Sequence, residues 1–208
     1  MTLASRYPTR LLLSTAAIGA AGGLLVVGLN YALVGLPPSS LTYAIYAVTT
    51  PAWSLGSFVA MALFRRPGVA LLTSVFSGLV NLASPFGVAQ LVNFLVIGLL
   101  LELPFAVARY RRWSDRFFWI AFPAGALLLG AGYLAPTLAA GAIDPSDIAP
   151  WLSALLVAAG VALALGLTAV ALRTAAALRK AGIGGGPAHA VAHRPSPARG
   201  DEPATAAE

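Results

Sequence analysis

The fold is decided by the stretch FRRPGVALLTSVFSGLVNLASPFG, residues 64–87, in which a doubly basic turn precedes a short apolar run and a bend. Pro67 and Gly68 mark a tight turn directly after two arginines, and the bend occupies residues 84–87. Cationic loops of membrane proteins are retained in the cytoplasm. A basic turn between apolar segments therefore predicts a membrane protein whose turn faces the cytoplasm.

Apolar runs continue on both sides of this stretch. The chain is 59% hydrophobic and only 10% charged, with a mean hydropathy of +0.83, whereas about a quarter of the residues in a soluble domain are charged. We expect an all-α integral membrane protein with six transmembrane helices. The predicted segments are residues 11–29, 41–64, 69–83, 88–108, 117–139 and 148–172.

The third segment, 69–83, is shorter than the ~20 residues that cross the hydrocarbon core. It can serve as a span only if the bend at 84–87 lies inside the protein, because irregular backbone at membrane depth must be satisfied by protein or trapped water. This indicates a cavity near the outer end of the third and fourth segments.

The positive charges report the orientation. All thirteen Lys and Arg residues lie before segment one or after segments two, four and six, whereas the longest of the other connections holds Asp144 and Asp147. We therefore expect both termini in the cytoplasm. The formal net charge of +6 is then an orientation signal, and we expect the lipid bilayer rather than nucleic acid as a partner because no basic stripe with interleaved aromatics is seen.

The chain is predicted to have two parts. Residues 1–181 form the six-helix transmembrane domain, and residues 182–208 form a disordered cytoplasmic tail because Gly, Pro and Ala replace the apolar pattern there. His189 and His193 lie in that tail, so their spacing does not predict a metal site. With no Cys and no Walker A sequence, we expect neither an enzyme nor a bound metal or cofactor.

Glu102 is the one acidic residue inside a predicted span. A carboxylate in hydrocarbon is unfavourable by several kcal/mol, so it usually faces a cavity or a partner. Glu102 could bind a ligand or a proton. It could equally pair with an Arg, a helix end or another subunit.

A second polar group of residues is predicted near the outer leaflet. Its members are Asn30, Tyr31, Tyr43, Tyr46, Asn81, Gln90, Asn93, Tyr133 and Trp151. Gln90 and Asn93 are three residues apart and share a helix face, whereas Asn93 and Glu102 lie on opposite sides of an ideal helix. Amides also cross-link transmembrane helices and aromatics form interfacial belts, so both alternatives stay open. Trp53 lies deeper and is a better candidate for ligand contact.

Segment one is rich in small residues spaced four apart. The pairs are Ala16 with Ala20, Ala17 with Ala21, and Gly19 with Gly23. Small residues let helix backbones approach closely. This face could dock another membrane protein or pack inside the bundle.

The stretch from Tyr43 to Trp113 resembles the YkoE-like family of S components of energy-coupling-factor transporters. The resemblance is carried by Trp53, the turn RRPG at 65–68 and the run GLLLELPFAVARYRRW at 98–113. It implies an S-component-like bundle in a prokaryotic plasma membrane that binds a vitamin or precursor. It also implies docking, through small residues of the first helix such as Ala16 and Ala20, on a transmembrane coupling subunit with two ATP-binding subunits.

YkoE-like members are associated with thiamine or its hydroxymethylpyrimidine moiety. Family members carry further acidic residues near the positions of Ser74 and Asn81, which this chain lacks. The missing carboxylates therefore favour the neutral pyrimidine, or a different ligand, over the thiamine cation.

The predicted ligand set has six members. They are Glu102 and Trp53, followed by Asn81, Gln90, Asn93 and Tyr46. The alternatives are a structural or assembly membrane protein without a ligand, and a self-sufficient permease in which Glu102 carries a proton.

Overall fold

The structure is a computed structural model that describes residues 9–142 and 144–183. Within these ranges the chain is helical, without strands, which confirms the all-α prediction. The helices are α1 (Thr9–Val34), α2 (Ser40–Trp53), α3 (Leu55–Phe64), α4 (Val69–Val80), α5 (Val88–Val107), α6 (Asp115–Ala139) and α7 (Pro150–Lys180), with 3₁₀ turns at Asn81–Ala83 and Pro145–Asp147. Most of the predicted tail, including His189 and His193, lies outside the described residues.

Five helical segments are long and apolar enough to cross a membrane. One of them, Ser40–Phe64, combines α2 and α3. The other four are α1, α5, α6 and α7. The segment Val69–Ala83 is shorter, and the 12 residues of α4 span about 18 Å against a hydrocarbon core of about 30 Å. The third segment is thus short, as predicted, and the predicted count of six membrane-crossing helices is not confirmed.

The helix bundle has two chemically different ends, one basic and one acidic. At the basic end, the Arg10 guanidinium donates to the Gly182 carbonyl (2.8 Å) and Arg179 donates to the Ala62 carbonyl (2.8 Å). At the opposite, acidic end, the Ser40 hydroxyl donates to an Asp147 carboxylate oxygen (2.8 Å). The two ends of the described chain therefore lie together at the basic end, and the cytoplasmic location of that end stays a prediction.

Glycines bring α1 into backbone contact with α4. A Cβ atom placed on Gly19 would lie 2.6 Å from the Thr73 carbonyl oxygen, and one on Gly23 would lie 2.9 Å from the Ser77 carbonyl oxygen. The Ser77 hydroxyl donates to the Gly19 carbonyl (2.8 Å). This contact, the glycine seam, shows that the Gly19 and Gly23 pair packs inside the bundle.

The four alanines among the small residues of segment one differ in burial. Ala16 and Ala20 are half-buried, whereas Ala17 and Ala21 are exposed. The exposed small-residue surface of α1 is therefore centred on Ala17 and Ala21 and flanked by the predicted docking pair.

The last helix is buried along only part of its length. The buried residues of α7 are Ala164, Thr168, Ala171 and Ala175, from the middle of the helix towards its C-terminal end. The N-terminal part of α7, residues 150–163, has no buried residue, and a space opens beside it.

Candidate functional site

An aromatic cavity of about 390 Å³ opens at the acidic end between α2, α5 and α6. Its walls combine aromatic rings with two carboxamides. The lining residues include Tyr43, Tyr46, Trp53, Phe86, Gln90, Asn93 and Tyr133. Four of the six predicted ligand residues therefore meet here, namely Trp53, Gln90, Asn93 and Tyr46.

The rim of this cavity is fixed by local hydrogen bonds and one glycine. The Ser39 hydroxyl accepts from the Thr42 backbone N–H (3.2 Å) and caps α2, while the Thr42 hydroxyl donates to the Pro37 carbonyl (2.7 Å). Gly87 has φ +53°, which L side chains rarely adopt. This glycine lets α5 begin directly after the bend that carries Phe86.

The two carboxamides lie on one face of α5, as their spacing predicted. The Asn93 side-chain N–H donates to the Gln90 side-chain oxygen at 3.2 Å, and Gln90 is buried. This bond orients both groups along the cavity wall and leaves the Asn93 carboxamide oxygen outside that bond.

Trp53 stands where the aromatic cavity meets a deep cavity of about 220 Å³. Both cavities are lined by Trp53, Asn93 and Tyr133. Across the aromatic cavity, the rings of Tyr46 and Tyr133 lie 6.3 Å apart between centroids. These three shared residues lie at the boundary between the aromatic cavity and the deep cavity.

A third space, the lateral cavity, of about 420 Å³, lies between α2, α6 and the N-terminal part of α7. Its lining is apolar except for Ser153, with residues such as Ala47, Leu134 and Val157. Such walls offer no means of orienting a polar ligand.

Asp, Glu, His, Lys and Arg side chains are absent from the linings of the aromatic and deep cavities. The loop before α7 carries acidic groups, and its Asp147 accepts a hydrogen bond from Ser40, two residues before the lining residue Thr42. Hydrogen bonds from the side chain and backbone of Ser146 lower the pKa of Asp144. In the part of the chain that the structure describes, no three metal-ligating side chains come together.

Glu102 lies elsewhere, near the basic end. It is 7% exposed, accepts from the Ala70 backbone N–H (2.9 Å) through Oε1 and from the Tyr110 hydroxyl (2.9 Å) through Oε2, and lines none of the three cavities. The first N–H groups of α4 lack intrahelical partners and carry the positive end of the helix dipole, so a carboxylate is favoured there. Of the predicted alternatives, the helix-end contact is the one that the geometry realises, and Glu102 lies apart from the four predicted ligand residues that meet at the aromatic cavity.

Asn81 also lies apart from those four residues. Its side-chain N–H group donates to the carbonyls of Gly23 (3.0 Å) and Ser77 (2.9 Å), and its oxygen accepts from Asn30 (3.2 Å). It is fully buried and cross-links α1 with the end of α4. This is the helix-linking alternative for a membrane amide.

The lining residues that the sequence interpretation missed include Thr42 and Phe86. Phe86 lies in the bend at 84–87, where a cavity was expected, so its position was the available signal. Thr42 lies three residues after the capping residue Ser39. Nothing in the sequence shows whether a hydroxyl at the start of a helix also lines a cavity.

Comparisons with known proteins give two matches. The sequence model of a family described as "ABC-type cobalt transport system, permease component" matches residues 11–131, more than half of the chain. A solved structure described as "Crystal structure of an S-component of ECF transporter" superposes with a TM-score of 0.65 at 18% identity, covering 85% of this chain and 88% of that chain. No curated protein matches. At that identity the structural likeness shows a shared fold.

Proposed function

The chain belongs to the family of ABC-type cobalt transport system permease components, and from this premise we propose that it is the substrate-binding membrane subunit of an energy-coupling-factor-type transporter. The observation that carries the proposal is the aromatic cavity, which lies at the acidic end of an S-component-like fold. If the basic end faces the cytoplasm, this cavity opens outward, as a capture site requires. The subunit binds its substrate without chemistry of its own.

We propose a small organic substrate, a vitamin or precursor. Aromatic faces stack on flat rings, and the carboxamides of Gln90 and Asn93 can exchange hydrogen bonds with polar ring substituents. A thiamine-related molecule has this chemistry. Because no carboxylate lines the cavity, neutral hydroxymethylpyrimidine is favoured over the thiamine cation.

The family description supports a second candidate, a cobalt ion. Divalent cobalt is held in proteins by imidazole, thiolate or carboxylate groups. The aromatic and deep cavities offer amide and hydroxyl groups instead. Their lining therefore favours the organic substrate.

The proposed partners are a transmembrane coupling subunit with its two ATP-binding subunits. The exposed small-residue surface of α1 fits this role, because Ala17 and Ala21, flanked by Ala16 and Ala20, would let a partner helix approach closely. A Trp in place of Ala20 should block copurification with the coupling subunit while sparing ligand binding in detergent.

Thermal stabilisation of the purified protein tests the substrate proposal. Hydroxymethylpyrimidine, thiamine and Co²⁺ are each titrated, since a ligand at a hundred times its Kd stabilises the folded state by about 2.7 kcal/mol. We expect a saturable rise in melting temperature with hydroxymethylpyrimidine, lost in Asn93→Ala and kept in the control Tyr31→Phe, whose hydroxyl bonds Ala83 outside the cavity. A rise with Co²⁺ alone would favour the metal. No rise with any of the three would favour a protein without a ligand.

A further inference from the structure

Three buried side-chain atoms have no hydrogen-bond partner among the residues that the structure describes: Asn30 Oδ1, Ser84 Oγ and Trp53 Nε1. Of these three residues, only Trp53 lines any of the three cavities described above, and it lines both the aromatic cavity and the deep cavity. Its side chain is in the core, with the residue 6% exposed. Trp53, whose buried indole N–H makes no hydrogen bond, therefore stands between the aromatic and deep cavities.

A buried indole N–H nearly always has an acceptor. The neighbouring amide pair does not supply one: the Gln90 oxygen accepts from Asn93, and the Asn93 oxygen does not accept from the indole. The hydroxyls of Thr50 and Thr137, which line the deep cavity, donate to carbonyls of their own helices and do not accept from the indole N–H either. A molecule that enters the cavity can supply the acceptor.

We propose that Trp53 is the specificity-determining donor of the site, and that the ligand is a planar molecule that presents an uncharged hydrogen-bond acceptor, a ring nitrogen or a carbonyl oxygen, to its indole N–H. This inference rests on the proposed function, since it assumes that the aromatic cavity holds the substrate. The acceptor lies at the floor, between Asn93 and Tyr133, and the ring stacks among the aromatic walls above it.

The donor makes the site selective. An indole N–H donates and cannot accept. A ligand with a second donor at that point would leave two N–H groups facing each other, and one with a C–H would leave the indole unpaired. Sites built around a buried polar group reject analogues that lack its partner more strongly than apolar pockets reject a missing methyl group.

Nuclear magnetic resonance of ¹⁵N-tryptophan-labelled protein tests the inference without knowledge of the natural substrate. The chain has four Trp residues, and Trp53→Phe identifies the Trp53 indole signal, or elimination with the other three Trp→Phe variants does so if that variant fails to fold. Pyrimidine and benzene are added at millimolar concentration as probes of equal shape with and without ring nitrogens. We expect pyrimidine to move the Trp53 indole proton downfield and benzene not to do so. Trp151, which is 69% exposed and outside the three cavities, is the internal control.

If both probes shift the signal alike, or neither does, the inference is overturned. A second measurement separates it from the proposed function. Any compound that stabilises the protein should bind about tenfold more weakly to Trp53→Phe than to the matched variant Trp151→Phe. Stabilisation by a compound that leaves the Trp53 signal and this affinity unchanged would keep the proposed function and reject the donor role. A pyrimidine-specific shift without stabilisation by any compound in the panel would support the donor role of Trp53 and count against the proposed function.

Discussion

The two halves of the bundle differ in how closely they pack. In the packed half, formed by α1, α3 and α4, the glycine seam brings backbones into contact, and a Cβ on Gly22 of α1 would lie 3.0 Å from Gly56 of α3. In the open half, formed by α2, α5, α6 and α7, lie all three cavities described above. No residue of α1, α3 or α4 lines any of them.

Polar residues serve opposite purposes in the two halves. In the packed half, Asn81 bonds three groups, and Ser57 bonds Ser74 at 2.8 Å, so these side chains link helices. In the open half, the indole N–H of Trp53 is unused beside a cavity. A polar residue within a membrane is therefore assigned to structure or to binding by whether the protein already satisfies it. This division suits a carrier subunit that docks through one half and binds through the other.

The largest expected effect comes from Glu102, which joins α5 of the open half to α4 of the packed half. Glu102→Leu removes two hydrogen bonds to a charged group and leaves the Ala70 N–H unpaired. We expect a loss of about 3 kcal/mol in the free energy of unfolding, seen as a fall in the melting temperature of the unliganded protein. Glu102→Gln, which keeps an acceptor oxygen, should lose less.

Ligand affinity decides whether Glu102 is purely structural. We expect the Kd of Glu102→Gln for a stabilising compound to equal that of the wild type, because the carboxylate lines no cavity. A weakened affinity with an unchanged melting temperature would return Glu102 to the binding site and break the division between the halves.

The second prediction compares one substitution in the two halves. In Gly19→Ala the new methyl group would lie 2.6 Å from the Thr73 carbonyl oxygen. A methyl group added to Gly160, which lines the lateral cavity, would have no atom within 4 Å apart from the backbone of its own helix. Overpacking should reduce the stability of Gly19→Ala by about 2 kcal/mol. Gly160→Ala should be neutral or slightly stabilising, since Ala favours helix. Equal melting temperatures of the two variants would show that the glycine seam is not closely packed.

The sequence predicted the features that depend on periodicity and charge. Apolar runs located the helices, and the short run 69–83 was recognised as too short. The structure extends α1 to Val34 and α7 to Lys180, beyond the predicted ends at 29 and 172, and it divides the predicted segment 41–64 into α2 and α3. The bend at 84–87 indicated a cavity, and Phe86 of that bend lines one. The shared face of Gln90 and Asn93 followed from their spacing, because three residues turn a helix by nearly one revolution.

The hydrogen-bond partners of Glu102 and Asn81 could not be predicted from the sequence. Each bonds a backbone group far along the chain, Ala70 for Glu102 and Gly23 for Asn81. A sequence pattern gives the residue types but not which helix end or carbonyl lies opposite them. The unused N–H of Trp53 is likewise visible only once every neighbouring acceptor is placed.

The smallest expected effect also concerns a carboxylate near the basic end. Asp115 forms an ion pair with Arg65, but the two side chains are 64% and 36% exposed. Water and salt screen such a pair, so Asp115→Asn should reduce stability by less than ~1 kcal/mol, and the difference should shrink further at high salt. Melting temperatures at low and high salt measure this. Asp115 is thus the matched control for Glu102: both carboxylates accept hydrogen bonds, yet burial and a helix-end partner distinguish one from the other. A loss in Asp115→Asn as large as that in Glu102→Leu would mean that the contact between α3 and α6 at the basic end, and not the carboxylate between α4 and α5, holds the two halves together.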